Sequence, residues 1–443
     1  MVSSTKPAAR RRRGLQFVAL TVAAAALAAC SSGTTTSVVP STSGSSSSAA
    51  SAEPVSLDFL TFTSPNVTKA LWEKAVAGVE AKYPNVKINL LYTPNLDRQG
   101  YAKQLLATGQ LPDLIWDVPV TDFVKAGALL PFEESDLEGL NVPKGYGTLG
   151  GKTYNMWNGG FVYPGLHYNK AAFLKAGIAA PPTTYAAFVD DLAKLKAAGY
   201  TPLQIQSGAD TWAAGFLLNS IVSADVIGKT PDWVQQRKDG KVKFSDPAFV
   251  AAVNKFVALR DGGYFNKDSL TVDYAKASTN WAEGKVAIWP MGGWAAAAAV
   301  KGFDVGVFTL PTDDGTKVVP TTIGGAMYVS AKTTNPEWAR KVAVALVASP
   351  EWQAADMKND GVLPIVSGIT PLDGTPTAVL DSAALSRDAS ATQVTGFGGE
   401  NGDQAQPSGF SAEYGKAVQA LLGGGSTADF VATLDDQWNK LNK

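Results

Sequence analysis

From Leu57 onward, short apolar runs alternate with stretches of mixed polarity. Leu57–Phe62 is apolar apart from Asp58 and Thr61 and predicts a strand, and Val86-Lys-Ile-Asn-Leu-Leu-Tyr92 alternates as a half-buried strand does. Pro112-Asp-Leu-Ile-Trp-Asp-Val118 is a short apolar run suited to an inner parallel strand, and Val286–Trp289 reads as another strand. Between the first two strands, Leu71, Val76 and Val79 recur near helical spacing over Pro65–Tyr83, with Ser64-Pro65 as cap and first-turn pair. Further helices are predicted from Thr184 (Phe188, Leu192 and Leu195 on one face), from Asn335-Pro336 (burying Trp338, Val342 and Leu346) and from Ser426 (Phe430, Leu434 and Trp438). Strand and helix alternating throughout predict an α/β fold with mostly parallel sheets. No internal repeat is visible.

The N-terminal segment has a different character. Arg10–Arg13 precede a short apolar run, Leu15–Leu27, and small residues lead to Cys30, the pattern of a secretory signal. The run is shorter than the roughly 20 apolar residues a bilayer span needs. Cys30 is the chain's single cysteine, so no intramolecular disulfide forms. Leu27-Ala-Ala-Cys30 resembles a bacterial lipobox, which implies lipidation at Cys30. Arg12-Arg13-Gly14-Leu15 resembles part of a twin-arginine signal, but Gln16 breaks it, and the export route stays open. Residues 31–54 are dominated by Ser, Thr and Ala, too little apolar surface to order a chain, and read as a tether. Without residues 1–29 the chain keeps 33 of its 38 Lys and Arg against all 39 Asp and Glu, a net charge near −6. An acidic body with no basic run argues against nucleic acid. Its length suits two domains, and no later apolar stretch is long enough to span a membrane.

Four motifs follow in order. They are Leu106-Ala-Thr-Gly-Gln-Leu-Pro-Asp-Leu-Ile115, Phe123-Val-Lys-Ala-Gly-Ala-Leu-Leu-Pro131, Tyr168-Asn-Lys-Ala-Ala-Phe-Leu-Lys-Ala-Gly177 with Pro181-Pro-Thr-Thr184, and Gly284-Lys285 with Ala287, Gly292 and Trp294. Together they resemble the extracellular solute-binding proteins of ABC importers, in particular the carbohydrate-binding family that includes maltose-binding protein. The resemblance covers nearly all of Leu57–Lys443. One departure stands out. Gly151-Lys152-Thr153-Tyr154 continues as Asn155-Met156-Trp157, without the proline usual in the family, which leaves open whether the Lys152–Trp157 loop touches ligand.

The resemblance implies two α/β lobes, 55–161 with 326–360 and 162–325 with 361–443, joined by crossing strands near Phe161–Leu166. It implies a sugar or oligosaccharide in the cleft, hinge closure, an ABC permease as partner, a monomer, no cofactor, and a place at the outer face of the cytoplasmic membrane. Ligands of open α/β sheets sit beyond the carboxyl ends of strands. Trp294 follows such an end, and its family counterpart stacks on a sugar ring. An indole covers the apolar face of a pyranose while polar groups take the hydroxyls. Gly293 is expected to let backbone approach ligand. Trp289 is divided between core and cleft, and Trp281 is assigned to the core. Trp116 and Asp117 end the Pro112–Val118 strand, where Asp117 either accepts bonds from a vicinal diol or caps a helix. Ser64 and Asn66 meet ligand or cap a helix. Trp212 and Tyr414 are candidate aromatic platforms or helix packing, and Tyr163 is a further candidate beside the crossing strand.

Enzymatic readings find less support. His167 is the one histidine, and with no cysteine in the body, Cys/His metal sites and cysteine nucleophiles are excluded. No phosphate-binding Gly-rich loop occurs. A secreted carbohydrate-active enzyme using two of the many carboxylates remains the alternative, together with a binder of another polar solute such as a peptide or amino acid.

Overall fold

The computed structural model describes residues 53–94, 97–118, 120–208, 211–298 and 300–442. The signal segment, Cys30 and most of the tether therefore lie outside the described residues, as does Asp210. The strands are β1 (Val55–Thr61), β2 (Val86–Tyr92), β3 (Leu114–Trp116), β4 (Leu129–Leu130), β5 (Met156–Val162), β6 (Gly165–Asn169), β7 (Thr201–Leu203), β8 (Val286–Met291), β9 (Val305–Phe308), β10 (Val318–Ser330), β11 (Leu363–Pro364) and β12 (Thr392–Thr395). They build two sheets, one ordered β11-β5-β10-β3-β1-β2 with β4 and β12 also on β10, the other β7-β8-β6-β9. Helices flank both, giving a two-lobed α/β architecture. Among the described residues no helix is long and apolar enough to cross a membrane.

In place of mostly parallel sheets, both sheets are mixed. β1 runs parallel to β2 and β3 because helices α1 (Lys69–Lys82) and α2 (Arg98–Thr108) return the chain each time. β10 arrives from the opposite end and pairs antiparallel with β3, β4 and β5, while β6 lies antiparallel to both β8 and β9. Alternating apolar and polar residues say which face of a strand is buried, but not the direction of its neighbour. β10 is 13 residues long: its first residues pair with β12 and its last with β3 and β4, so one strand runs beside both cores.

The helix expected from Pro65 begins at Lys69. Thr68 caps it, its side chain accepting from Leu71 N, and Ser64 instead closes the turn before it by accepting from Asn66 N at 3.2 Å and Val67 N at 2.9 Å. The helices at Thr184 and Ser426 start where capping predicts, each with the expected apolar face buried. The helix after Asn335 buries Val342 and Leu346 but leaves Trp338 half-buried. One core gathers β1–β3, α1 and the helix Pro336–Val347, with Trp72 stacked on Trp352 at 4.5 Å. The other gathers β6, the helices Tyr185–Ala197 and Pro247–Asp261, and the last two helices. A third, smaller cluster around Trp281, Trp289 and Met291 reaches Met357 and Leu363.

Candidate functional site

Trp294 is half-buried and opens the short helix Trp294–Ala297 just beyond β8. Its ring meets Phe161 at 5.7 Å, Trp212 at 6.2 Å and Phe216 at 6.3 Å. Trp212 in turn meets Tyr274 at 5.5 Å and remains 46% exposed, the most open indole of the group. The two Met-Gly-Gly glycines make this placement available. A Cβ on Gly292 would fall 2.2 Å from the Trp294 ring, so the indole folds back over bare backbone. A Cβ on Gly293 would lie 2.8 Å from Phe161 and 3.2 Å from the Gly361 carbonyl. On its Cβ side Gly293 is therefore a close approach of protein to protein.

Polar groups gather at the ends of β1, β2 and β3. Asp117 holds the only positive φ among described non-glycine residues, 59°, a conformation a short polar side chain tolerates. Its backbone N–H donates to Ala326 O at 3.0 Å, which fixes the turn after β3. Arg98 Nη1 stands 3.4 Å from its carboxylate, each side chain about one-third exposed, and the guanidinium stacks 4.0 Å over the Phe62 ring. Asn66 connects this edge to the tryptophans: Nδ2 donates to Trp294 O at 3.2 Å and to Asp360 Oδ1 at 3.0 Å. Asp360 neighbours buried Asp356, which accepts from Asn158 Nδ2 at 2.6 Å. Burial pushes both carboxyls up from their ordinary range; the charge of Asp360 adds to the rise of Asp356, while the Asn66 bond and Arg98 pull Asp360 back.

Four candidates are largely taken up by protein contacts, and for Trp289 and Tyr414 this is the packing alternative already open in the sequence. Trp289 is fully buried, its Nε1 donating to Gln206 Oε1 at 3.0 Å, because its strand position faces the Trp281 cluster. Trp116 is 7% exposed and packs edge-on against Trp72 at 5.0 Å, since it is the last residue of an interior strand. Tyr414 is equally buried; its hydroxyl donates to Asn219 Oδ1 at 2.7 Å, and its ring lies against Gly215, where a Cβ would come within 2.5 Å. Helix packing thus claims it. Tyr163 meets Phe216 edge-on at 5.2 Å and lines a cavity of only about 40 Å³ with Trp212 and Tyr414. Burial raises its hydroxyl well above the usual range, so it stays protonated. Ser64 is half-buried and spends its hydroxyl oxygen on the turn described above. Trp157, at the end of the Lys152–Trp157 loop, is buried against Tyr146.

Sequence reasoning missed Phe62, Arg98 and Phe161. The rule that found Asp117 and Trp294, that ligands lie past strand ends, also covers the end of β2, where Arg98 opens α2 behind the Asp97 cap. His167 is buried with Nδ1 3.4 Å from Trp289 O, and burial lowers it to about 4. It is a neutral strand residue. Among the described residues no group of three or more His, Cys, Asp or Glu is placed to hold a metal ion.

The profile of bacterial extracellular solute-binding proteins matches residues 64–354. Among solved structures, a chitin oligosaccharide binding protein is 25% identical with a TM-score of 0.73, over 88% of this chain and 99% of its own. RafE in complex with raffinose is 20% identical, TM-score 0.68, over 88% and 100%. Maltose-bound MalE3 of T. maritima is 17% identical, TM-score 0.69, over 87% and 100%. No curated protein matches the chain by sequence.

Proposed function

Because the chain belongs to the bacterial extracellular solute-binding protein family, we propose that it captures a neutral sugar or oligosaccharide between its lobes and presents it to an ABC import permease. The observation that carries the reading is the exposed Trp212 beside half-buried Trp294, with the Arg98–Asp117 pair on the strand ends of the other core. The indoles suit the C–H faces of sugar rings, and the carboxylate and guanidinium suit vicinal hydroxyls as acceptor and donor. Asp117 is already neutralised by Arg98, which favours an uncharged ligand over an ion. The neighbours' named ligands, chitin oligosaccharide, raffinose and maltose, support the same class. We take the lobes as 55–161 with 326–360 and 162–325 with 361–443. A ligand held by both selects the closed arrangement by its greater affinity for it. Lipidation at Cys30 anchors the receptor on the outer face of the cytoplasmic membrane, and the segment 31–54 gives it reach.

The test is calorimetric titration with chitin oligosaccharides, raffinose and maltose, followed by chromatography of the sugar after long incubation. Saturable binding with intact sugar is the expected result. Release of product that disappears on substituting one carboxylate would move the protein to the enzyme class. For the anchor, Cys30→Ser is expected to shift the protein from the membrane pellet to the soluble fraction.

A further inference from the structure

A second concavity begins two residues beyond Trp294 and shares Asn66 with that edge. It encloses about 820 Å³, within the range of roughly 300–1,000 Å³ usual for small-molecule sites, and none of the chain's indoles lines it. One wall is α1, with Leu71 and Lys74, which belongs with the β1–β3 core. The facing wall is the segment from Ala296 to Val305, beyond Trp294, with Phe303 as its one aromatic ring. This wall is built of small aliphatic side chains, so it offers no flat pair of rings for sugar stacking. Its charges are two cations and one carboxylate, Lys74, Lys358 and Asp304. Lys358 Nζ already donates to Asp373 O at 2.6 Å. Lys74 has no ion-pair or hydrogen-bond partner among the described residues. An exposed, unpaired ammonium on the rim of a crevice with an aliphatic wall is complementary to an anion carrying an apolar body.

We propose that this crevice is a second ligand site, for a small organic anion whose charged group meets Lys74 and whose apolar part lies on the Ala296–Val305 wall. Its two walls come from different cores, so an occupant bridges them as a sugar would in the aromatic cleft. The proposal does not rest on the sugar reading.

The probe is anilinonaphthalene sulfonate, an anion with an apolar body whose fluorescence rises on burial, titrated into the folded protein. Saturable binding at one site is expected. Lys74→Glu should weaken it about tenfold, whereas Lys82→Glu at the other end of α1 should leave it unchanged. Ala297→Trp, which fills the crevice, should remove it, and octanoate should displace the probe where inorganic phosphate, charge without an apolar body, does not. Equal affinity in wild type and Lys74→Glu would overturn the proposal. So would a signal lost in Trp212→Ala but kept in Lys74→Glu, which would place the probe on the sugar platform.

Discussion

Two groups of tryptophans gather in this molecule, and only one of them is open. Trp72, Trp116 and Trp352 stack and tilt against one another at 4.5 to 6.4 Å, each nearly or fully buried. Trp212 and Trp294 also touch, at 6.2 Å, yet one is half exposed and the other half-buried. The difference lies in where the chain stands relative to its strand. Trp116 is still inside β3, paired across to Met327 on β10, and its ring enters a face that α1 and the helix Pro350–Asp360 cover. Trp294 has left β8 and follows two glycines, which let the ring turn off the sheet onto the crossing strand. Trp116, still within its strand, packs, and Trp294, two glycines past its strand, stays half in solvent.

The largest expected effect breaks the closed group. Trp72 is 1% exposed, makes edge contacts to Phe59 and Trp116, stacks on Trp352, and donates Nε1 to Phe62 O at 2.8 Å. Trp72→Ala should cost about 3–5 kcal/mol of folding stability. Urea unfolding measures this. A loss under 1 kcal/mol would mean that the group is not the core it looks to be.

The open group should respond in binding instead. Trp294→Ala should weaken sugar affinity by about 2–4 kcal/mol, the scale of losing an aromatic anchor. The unliganded protein should lose less stability than Trp72→Ala, because the ring is already half in solvent. Titration beside thermal melting of both variants tests the contrast. Normal affinity with a collapsed melting temperature in Trp294→Ala would make the two groups equivalent and end the distinction.

How far the sequence reaches follows the same line. Helix starts at Thr184 and Ser426 were legible because capping is local chemistry, and so were their buried faces. The direction of β10 was not, since antiparallel entry depends on a return path that no local pattern encodes. In the site, proximity to a strand end pointed to Asp117 and Trp294 but did not separate Trp294 from Trp116. That separation requires knowing which residue ends the hydrogen-bonded ladder. For Tyr414 the choice between platform and helix packing was open in the sequence, because the partner that draws its hydroxyl inward, Asn219, stands 195 residues away. Arg98 was within reach of the rule and was passed over because Asn95 to Asp97 carry no motif.

The polar edge opposite the tryptophans gives a smaller effect. Asp117→Asn keeps a residue that accepts φ of 59° but removes the charge that Arg98 and a sugar hydroxyl would share. Affinity should fall by about 1–2 kcal/mol, as for one charge-assisted hydrogen bond. The fold should be unaffected, since an ion pair one-third exposed contributes little to stability. Asp117→Ala is the less informative variant, because a backbone held at positive φ strains alanine and mixes stability into the result. If Asn and wild type bind sugar alike, the carboxylate belongs to the turn and not to the cleft.

The smallest effect concerns the seam where Asn66 joins the two groups, through Asp360 on one side and the Trp294 carbonyl on the other. Asp356 and Asp360 have carboxyls raised by burial, with their mutual repulsion adding to the rise of Asp356, so the folded state holds protons that the unfolded state releases. Linkage then fixes the sign. Their contribution favours folding below the ordinary carboxylate range, about pH 4, and is lost as pH climbs toward neutrality. Asp388 and Asp314 are held low, by the bond from Lys317 and by hydrogen bonds from Thr316 and Thr312 respectively, and so act with the opposite sign on the acid side, outside that window. Asp360→Asn keeps an oxygen to accept from Asn66 and deletes one charge. Its melting temperature should fall less than that of wild type between about pH 5 and pH 8, and should exceed it at the upper end. Parallel curves for the two proteins would mean that the carboxylates are solvated in solution, and that the seam between the closed and open tryptophans is looser than this arrangement requires.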